Sequence, residues 1–525
     1  VENSPLSFAD KLRMIKKKSD AEFQPKKKPA SSVHSTKFYI QDLIGSFDPA
    51  GLEDLQNPDC EIFIRDGGEY KLFTGERPAA ETRPVAIVGD YTQEVNQMVD
   101  ELNGSHFVSW EGCKTFVYRE EYNDILKRHE LHRMSFMDFQ NYYSNKYICI
   151  GEKAGEKVYK PLGEVWIKHP MRRQYTGITM EPCKESTEGK YNLWRGFSVE
   201  PVAGVWKLMR DHIFHIICSQ DDNAYQYVMG WLALTIQKPG QQGEVALVMR
   251  GKRGTGKGML GTYMCRLFGG NSIQIFSSKY LTGNFNAHLL GVVFLFADEA
   301  FWAGDHAGEN TLKGLITETS LTLEGKGRDA VFARNMLHIL MASNNDWVVP
   351  AGLEERRYCV LDVCDSKMQN KAYFSALVDE MENGGLAAML YDLQNFDLSG
   401  FDVREVPQTS GLFEQKLQSM DSFTEWWFHR LTEGELMPGE GWEDVPTEKL
   451  YSAYLESLAR RAINYRSGQT QFGISLKKMV PKGWELRKYR YPESGGIKQV
   501  YHYRFPELEK CRKHFESLIK CTVEW

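Results

Sequence analysis

Glu244–Arg250 (EVALVMR) runs straight into Gly251-Lys252-Arg253-Gly254-Thr255-Gly256-Lys257-Gly258, and a helix-like stretch from Met259 to Phe268 follows. A buried strand, a glycine-rich turn, a lysine and a helix make up the context that a phosphate-binding loop requires. The glycines let the backbone curl so that its N–H groups face the phosphates. The helix N-terminus adds positive potential, and Lys257 reaches the β and γ oxygens. Gly251, Gly254, Thr255, Gly256, Lys257 and Gly258 are therefore the expected nucleotide-binding residues. The position after the lysine is usually Ser or Thr, a Mg²⁺ ligand; here it is Gly258. Water, Thr255 or a more distant carboxylate is left to complete that metal shell.

Working outward, Gly291–Phe296 is another apolar run and ends in Ala297-Asp298-Glu299, with Asp298 forty-one residues past Lys257. Two acids at the tip of a buried strand would stand beside the glycine-rich loop. Asp298 would serve Mg²⁺ through water, and Glu299 would orient and deprotonate an attacking water. A strand that merely ends in an acidic cap is the competing account. A third run, Leu337–Ala342, ends in Ser343-Asn344-Asn345, where an amide can sense a terminal phosphate. Twelve residues past Asn344 stand Arg356 and Arg357, ahead of the strand-like Tyr358–Val363. They are placed either to enter a neighbouring subunit's site as a finger or to pair with Glu354 and Glu355. Between the second and third runs, Thr322–Phe332 reads as a hairpin with a Gly-Lys-Gly-Arg tip. Lys326 and Arg328 would there hold a phosphate backbone or simply solubilise a turn.

The whole chain has 525 residues and a formal charge of -6, with 42% hydrophobic and 26% charged residues. That excludes a uniformly basic binder but not a local basic surface. Residues 1–35 carry eight Lys/Arg and read as a mobile basic tail. Residues 460–525 carry fifteen Lys/Arg against six Asp/Glu, interleaved with Tyr465, Phe472, Trp484, Tyr489, Tyr491, Tyr501 and Tyr503. This pattern suits a nucleic-acid surface, because cations meet phosphates and rings meet bases. A soluble face on a small β-rich domain explains it equally well. No apolar run approaches the ~18 residues of a membrane span, and no signal peptide is evident. Ten scattered cysteines without a CxxC pair fit a reducing cytoplasm. The chain opens on Val1, as a trimmed or partial product would.

Residues 36–195 look mixed α/β, with strands at Phe107–Trp110 and Thr115–Tyr118 and a helix start at Ser135. Residues 205–237 carry apolar positions at helical spacing, with a break near 220–223. The Asp59-Cys60-Glu61 and Ser105-His106 elements are the only ones tempting as a two-metal primase centre. The acids precede the Ile62-Phe63-Ile64 run rather than lying in a buried strand, so an active primase is not expected. His212, His215 and Cys218 share a helical face without a fourth ligand type, which points to packing rather than zinc.

Lys257, Asp298-Glu299, the Lys326 hairpin, Ser343-Asn344 and Arg356-Arg357 follow one another within the 107 residues from Gly251 to Arg357. In this order and spacing the chain resembles superfamily 3 helicases. More narrowly, it is similar to the primase–helicase proteins of phages, plasmids and mobile elements, related to the poxvirus primase–helicase. Tyr191–Phe197, Pro239–Lys257 and Val348-Val349-Pro350 extend the likeness, and Gly258 occurs in some relatives. Tyr451–Tyr454 and Gln471–Leu476 are similar to the family's winged-helix segment.

The resemblance implies an α/β fold whose AAA+ ATPase core carries an N-terminal α/β and collar region and a C-terminal winged-helix-like domain. The corresponding segments are 1–35 (tail), 36–195 (accessory), 196–243 (collar), 244–400 (ATPase) and 401–525 (basic DNA-binding domain). It further implies ATP and Mg²⁺ as cofactors, single-stranded and forked DNA as substrates, a hexameric ring, and a separate primase or polymerase as partner. The setting would be a bacterial host cytoplasm. Carried over residue by residue, Lys257 binds phosphate, Asp298 serves the metal and Glu299 is the base. Asn344 is the sensor, Arg356 the finger with Arg357 as runner-up, and Lys326 and Arg328 contact DNA. An AAA+ remodeler or loader of protein partners and an ATP-switched origin-binding initiator remain as alternatives.

Overall fold

Four short, largely apolar runs can bury both of their faces only inside a sheet, and a fifth strand, Ser272-Ile273-Gln274-Ile275, closes its edge. In the computed structural model they are β1 (Ala246–Arg250), β2 (Ser272–Ile275), β3 (Phe294–Asp298), β4 (His338–Ser343) and β5 (Tyr358–Asp362). The helices around them are α1 (Lys207–His212), α2 (Asp222–Gln237), α3 (Lys257–Phe268), α4 (Lys371–Glu380) and α5 (Leu386–Gln394). The structure describes residues 91–525 except 112–113, 125–127, 183, 185–186, 301–305, 327–329, 462–467 and 494–495, and, before them, the backbone of three strands. The expected basic tail, Asp59 and Arg328 lie outside the described residues.

All five strands are parallel, in the order β2-β3-β4-β1-β5. Arg250 pairs with Ser343 on one side and Asp362 on the other, and Asp298 pairs with Ala342. The four C-terminal strand ends therefore finish level along one edge of the sheet. Alternation sends Leu247, Met249, Phe294, Phe296 and Leu340 to a core shared with α1, α2, α3 and α5. The intervening Ala246, Val248, Leu295, Ala297 and Ile339 pack under Leu312, Leu315 and Ile316 of the helix His306–Thr317. The helices expected as a collar thus share one apolar core with the sheet. Close approach of α3 to β3 depends on Gly261, where a Cβ would fall 2.6 Å from the Phe296 ring.

The contacts divide the chain into residues 1–90 and 91–525. In the first unit, Thr36–Ile40 runs parallel to Cys60–Asp66, which pairs antiparallel with Glu69–Phe73. Glu61 lies within a strand, contrary to its expected place ahead of one. In the second unit, His106–Glu111, Lys114–Asn123 and Arg128–Met134 form an antiparallel sheet that includes the expected strand pair. The helix Phe136–Tyr142 starts at Ser135, whose side chain forms a capping box with Asp138. His106 is buried against Phe139, Tyr143 and Trp166, so it is a core residue.

At the C-terminal end, helices Ser422–Glu433, Thr447–Arg460 and Gln469–Met479 are followed by a hairpin of Glu485–Glu493 and Gly496–Arg504. Val445 adds a short strand beside Tyr503. Phe472 and Tyr503 are buried in the aromatic core with Phe423, Trp426 and Tyr454, and are not surface rings. Tyr491 and Tyr501 are exposed on the hairpin, alongside the exposed Lys488 and Arg490. No helix among the described residues is long and apolar enough to cross a membrane.

Candidate functional site

β1 delivers the chain to the sheet edge, where Gly254 (φ 78°) and Gly256 (φ 92°) take left-handed conformations and α3 begins at Lys257. Side chains with a Cβ rarely adopt that conformation, so glycine permits the curl. Lys257 is only 7% exposed. Its Nζ donates to the carbonyls of Gly251 (2.6 Å) and Lys252 (2.7 Å) and to Oδ1 of Asn344 (2.9 Å). Burial lowers the Lys257 pKa, while the nearby charges of Glu299 and Asp298 oppose that shift. Thr255 is 1% exposed and its hydroxyl donates to the Lys252 carbonyl at 3.0 Å. Thr255 thus ties the loop to itself through its hydroxyl proton.

β3 ends at Asp298, which accepts a hydrogen bond from the Gln274 amide of β2 at 3.3 Å. Glu299 then turns sharply with φ 56°, and its N–H donates to the Ala342 carbonyl at 2.8 Å. Such a conformation at a non-glycine residue costs on the order of 1 kcal/mol and persists where the surroundings enforce it. The Glu299 carboxylate accepts the Asn344 N–H at 3.1 Å. Asn344 therefore engages Glu299 through its backbone and Lys257 through its side chain. Four residues assigned from three separate stretches of sequence, Lys257, Asp298 with Glu299, and Asn344, come together at one sheet edge.

The arginines do not join them. Arg357 precedes β5 at the edge remote from Asp362, a separation of about 16 Å along the strand. Arg357 pairs with Glu355 at 3.1 Å, whereas Arg356 is exposed. The basic hairpin is present, with Ser320–Leu323 antiparallel to Val331–Arg334 and Lys326 exposed beyond the first strand. Its first strand is tied down by Asn286, which donates to the Thr322 carbonyl and accepts from the Glu324 N–H.

Sequence reasoning missed Gln274 and the contacts that flank the loop. Lys252 pairs with Asp365 at 2.8 Å, and the Gln369 N–H donates to the Gly254 carbonyl at 3.0 Å. It also read His212 as packing only, although Nε2 of His212 lies 3.3 Å from the Gly256 carbonyl. These pairs are separated by 44 to 115 residues, and no local spacing announces them.

The chain's residues fit a nucleoside triphosphate. The left-handed glycines, the N-terminus of α3 and a buried ammonium adjoin one another in a donor-rich stretch of chain. Open space remains at Gly258, where a Cβ would meet nothing within 4 Å. Among the described residues no group of three or more His, Cys, Asp or Glu could hold a metal ion. The available donors suit a cation that keeps water and phosphate oxygens in its shell, which is the habit of Mg²⁺, with Asp298 as the protein's contribution.

Comparison with known proteins finds matches in both halves of this architecture. Residues 249–357 match a family of unknown function, DUF5906, and residues 418–516 match the Poxvirus D5 protein-like family. A DNA primase-polymerase of Nitratiruptor phage NrS-1 is 25% identical over 207 residues, covering 37% of this chain and 28% of that protein. The match thus spans under a third of the relative's length. The apo structure of the NrS-1 C-terminal region superposes with a TM-score of 0.54 at 17% identity, over 79% of this chain and 100% of that one. A second apo form of that region gives 0.53 at 16% identity, over 78% and 98%. The chain is accordingly similar in sequence to part of a phage DNA primase-polymerase and in fold to the NrS-1 C-terminal region, with a Poxvirus D5-like segment toward its C-terminus.

Proposed function

We propose that this chain is an ATP-driven DNA helicase of phage or mobile-element replication, built on a superfamily 3 AAA+ core. The hydrogen-bonded series Lys257–Asn344–Glu299 at adjoining ends of β1, β4 and β3 carries this reading. It supports a site in which one residue holds phosphate, one reports on it and one addresses a water. The parallel order β2-β3-β4-β1-β5 supports the AAA+ assignment. Three helices and a hairpin, with the short strand at Val445 paired to the hairpin's second strand, support a winged-helix reading of the C-terminal segment.

In this reading the backbone of Gly251, Gly254, Thr255, Gly256 and Gly258 cradles the phosphates of ATP, and Lys257 neutralises them. Bound Mg²⁺, held through Asp298, supplies charge stabilisation on the transferred group. Glu299 orients the attacking water and takes its proton. Arg356 has no role in its own chain's site; it serves as the finger of an adjacent copy in a hexameric ring. Arg357, paired with Glu355, is the weaker candidate. Lys326 and Arg328 contact single-stranded DNA, and a separate primase or polymerase is the expected partner.

The test is ATP-dependent unwinding of a forked DNA by wild type and Lys257→Ala. Loss of unwinding and of hydrolysis by about 10²-fold or more in the variant is expected. Wild type that hydrolyses ATP but never separates strands would favour a remodeler. In that case Lys326→Ala with Arg328→Ala would leave the response of hydrolysis to DNA unchanged, whereas a helicase would lose its DNA-stimulated turnover.

A further inference from the structure

α1 is anchored at both ends to α4. At its start, the N–H groups of Leu208 and Met209 both donate to the Glu380 carboxylate at 3.1 Å. At its end stands His212, wholly buried, after which Ile213–Ile217 widens into a π turn. The imidazole sits between two groups. Nε2 lies 3.3 Å from the Gly256 carbonyl, and Nδ1 lies 3.0 Å from the Tyr373 hydroxyl on α4.

These contacts determine the tautomer. A carbonyl oxygen only accepts, so Nε2 carries the proton. The Nδ1 of a neutral imidazole then only accepts, and the Tyr373 hydroxyl is its donor. Burial pushes the His212 pKa down to about 4, consistent with a neutral ring. The result is a directed relay, Tyr373 O–H to His212 to the Gly256 carbonyl, which also accepts the Met259 N–H at 3.0 Å.

Gly256 is the left-handed residue that launches α3, one position before Lys257. A Cβ there would lie 2.6 Å from His212 Cε1 and 2.6 Å from Phe374 Cε1, so the loop seats against this pair without slack. Its other left-handed glycine, Gly254, is held through its carbonyl by the Gln369 N–H. Both carbonyls are bound from outside the loop, which fixes the two peptide planes between which an anion-binding nest would have to form.

We propose that His212 is a positioning residue for the phosphate loop, holding the Gly256 carbonyl through Nε2–H while the Tyr373 hydroxyl fixes its tautomer. This inference rests on the nucleotide-binding reading given above. His212 touches neither phosphate nor metal; it acts on them through the loop backbone. Tyr373→Phe leaves the ring free to adopt the other tautomer, which turns a lone pair toward the carbonyl.

The experiment measures binding of a fluorescent ATP analogue, with KM and kcat for ATP, on the full chain. Wild type and Lys257→Ala establish whether the loop binds nucleotide. His212→Leu, His212→Gln and Tyr373→Phe then test the inference, each with a melting temperature. His212→Leu is expected to weaken binding about tenfold or more, because the Gly256 carbonyl loses the donor that holds it from outside the loop and keeps only the Met259 N–H. His212→Gln, which keeps a donor at the reach of Nε2, should return binding to within about threefold. Tyr373→Phe should raise KM more than it lowers kcat. The proposal is overturned if His212→Leu binds like wild type. Packing alone is the answer if Gln and Leu lose affinity equally, in step with lowered melting temperatures. If wild type binds no nucleotide, the site reading falls first and this inference with it.

Discussion

Asn344 bridges Lys257 and Glu299: its Oδ1 accepts from Lys257 Nζ at 2.9 Å, and its N–H donates to the Glu299 carboxylate at 3.1 Å. A single residue at the tip of β4 thus holds the cation of one loop and the anion of another. Any ligand that draws Lys257 away must break the side-chain bond while the backbone bond persists.

That division separates two substitutions. Glu299→Gln keeps an acceptor for the Asn344 N–H but removes the base, so nucleotide affinity should stay near wild type while kcat falls by about 10²-fold or more. Asn344→Ala leaves Lys257 its two carbonyl partners and should lower kcat by about 10- to 100-fold with little change in melting temperature. Phosphate release beside equilibrium nucleotide binding checks both. Equal loss of affinity in both variants would contradict the assignment.

Gly258 offers room for the missing hydroxyl, since a Cβ there meets nothing within 4 Å. Gly258→Ser should therefore fold normally and lower the Mg²⁺ concentration needed for half-maximal hydrolysis, by about threefold or more, through an added oxygen ligand. A titration of hydrolysis against Mg²⁺ reads this. Gly261→Ala is the contrasting case: its Cβ would strike the Phe296 ring and should cost about 1–3 kcal/mol.

Arg356 is about a strand's length from its own chain's site, so its action is expected in trans. Arg356→Ala should bind nucleotide like wild type and lose hydrolysis. Mixing it with Lys257→Ala should restore part of the turnover, because some junctions then combine an intact loop with an intact arginine. No recovery at any mixing ratio would place Arg356 outside the reaction.

Two buried histidines make stability fall in mild acid. Burial lowers His212 and His338 from 6.5 to about 4. Between those values the unfolded chain binds more protons than the folded one, so stability is present above about pH 6.5 and is lost as pH falls. The slope is about 1.4 kcal/mol per pH unit for each histidine. Melting temperatures at pH 7.5, 6.5 and 5.5 should be flat over the first interval and drop over the second. A melting temperature unchanged to pH 5.5 would refute the neutral assignment.

The linear sequence by itself determined four of the five strands, β1, β3, β4 and β5, and singled out Lys257, Asp298, Glu299 and Asn344; β2, with Ser272 and Gln274 in its four residues, is not a continuous apolar run and was not legible. Those four strands are buried on both faces, and burial on both faces demands continuous apolar runs, which end where polar residues meet the sheet edge. The capped helix at Ser135 and the basic hairpin were legible for the same reason: each is specified by residues within a few positions of one another. Tertiary structure alone decided the rest. It buried Phe472 among aromatic rings and set Glu61 within a strand. It also placed His212 on Gly256, Gln369 on Gly254 and Gln274 on Asp298. These contacts join residues that are far apart in the chain, and hydrogen bonds between distant groups leave no periodicity or spacing behind. Only packing the helices onto the sheet brings such groups within 3 Å or so of one another.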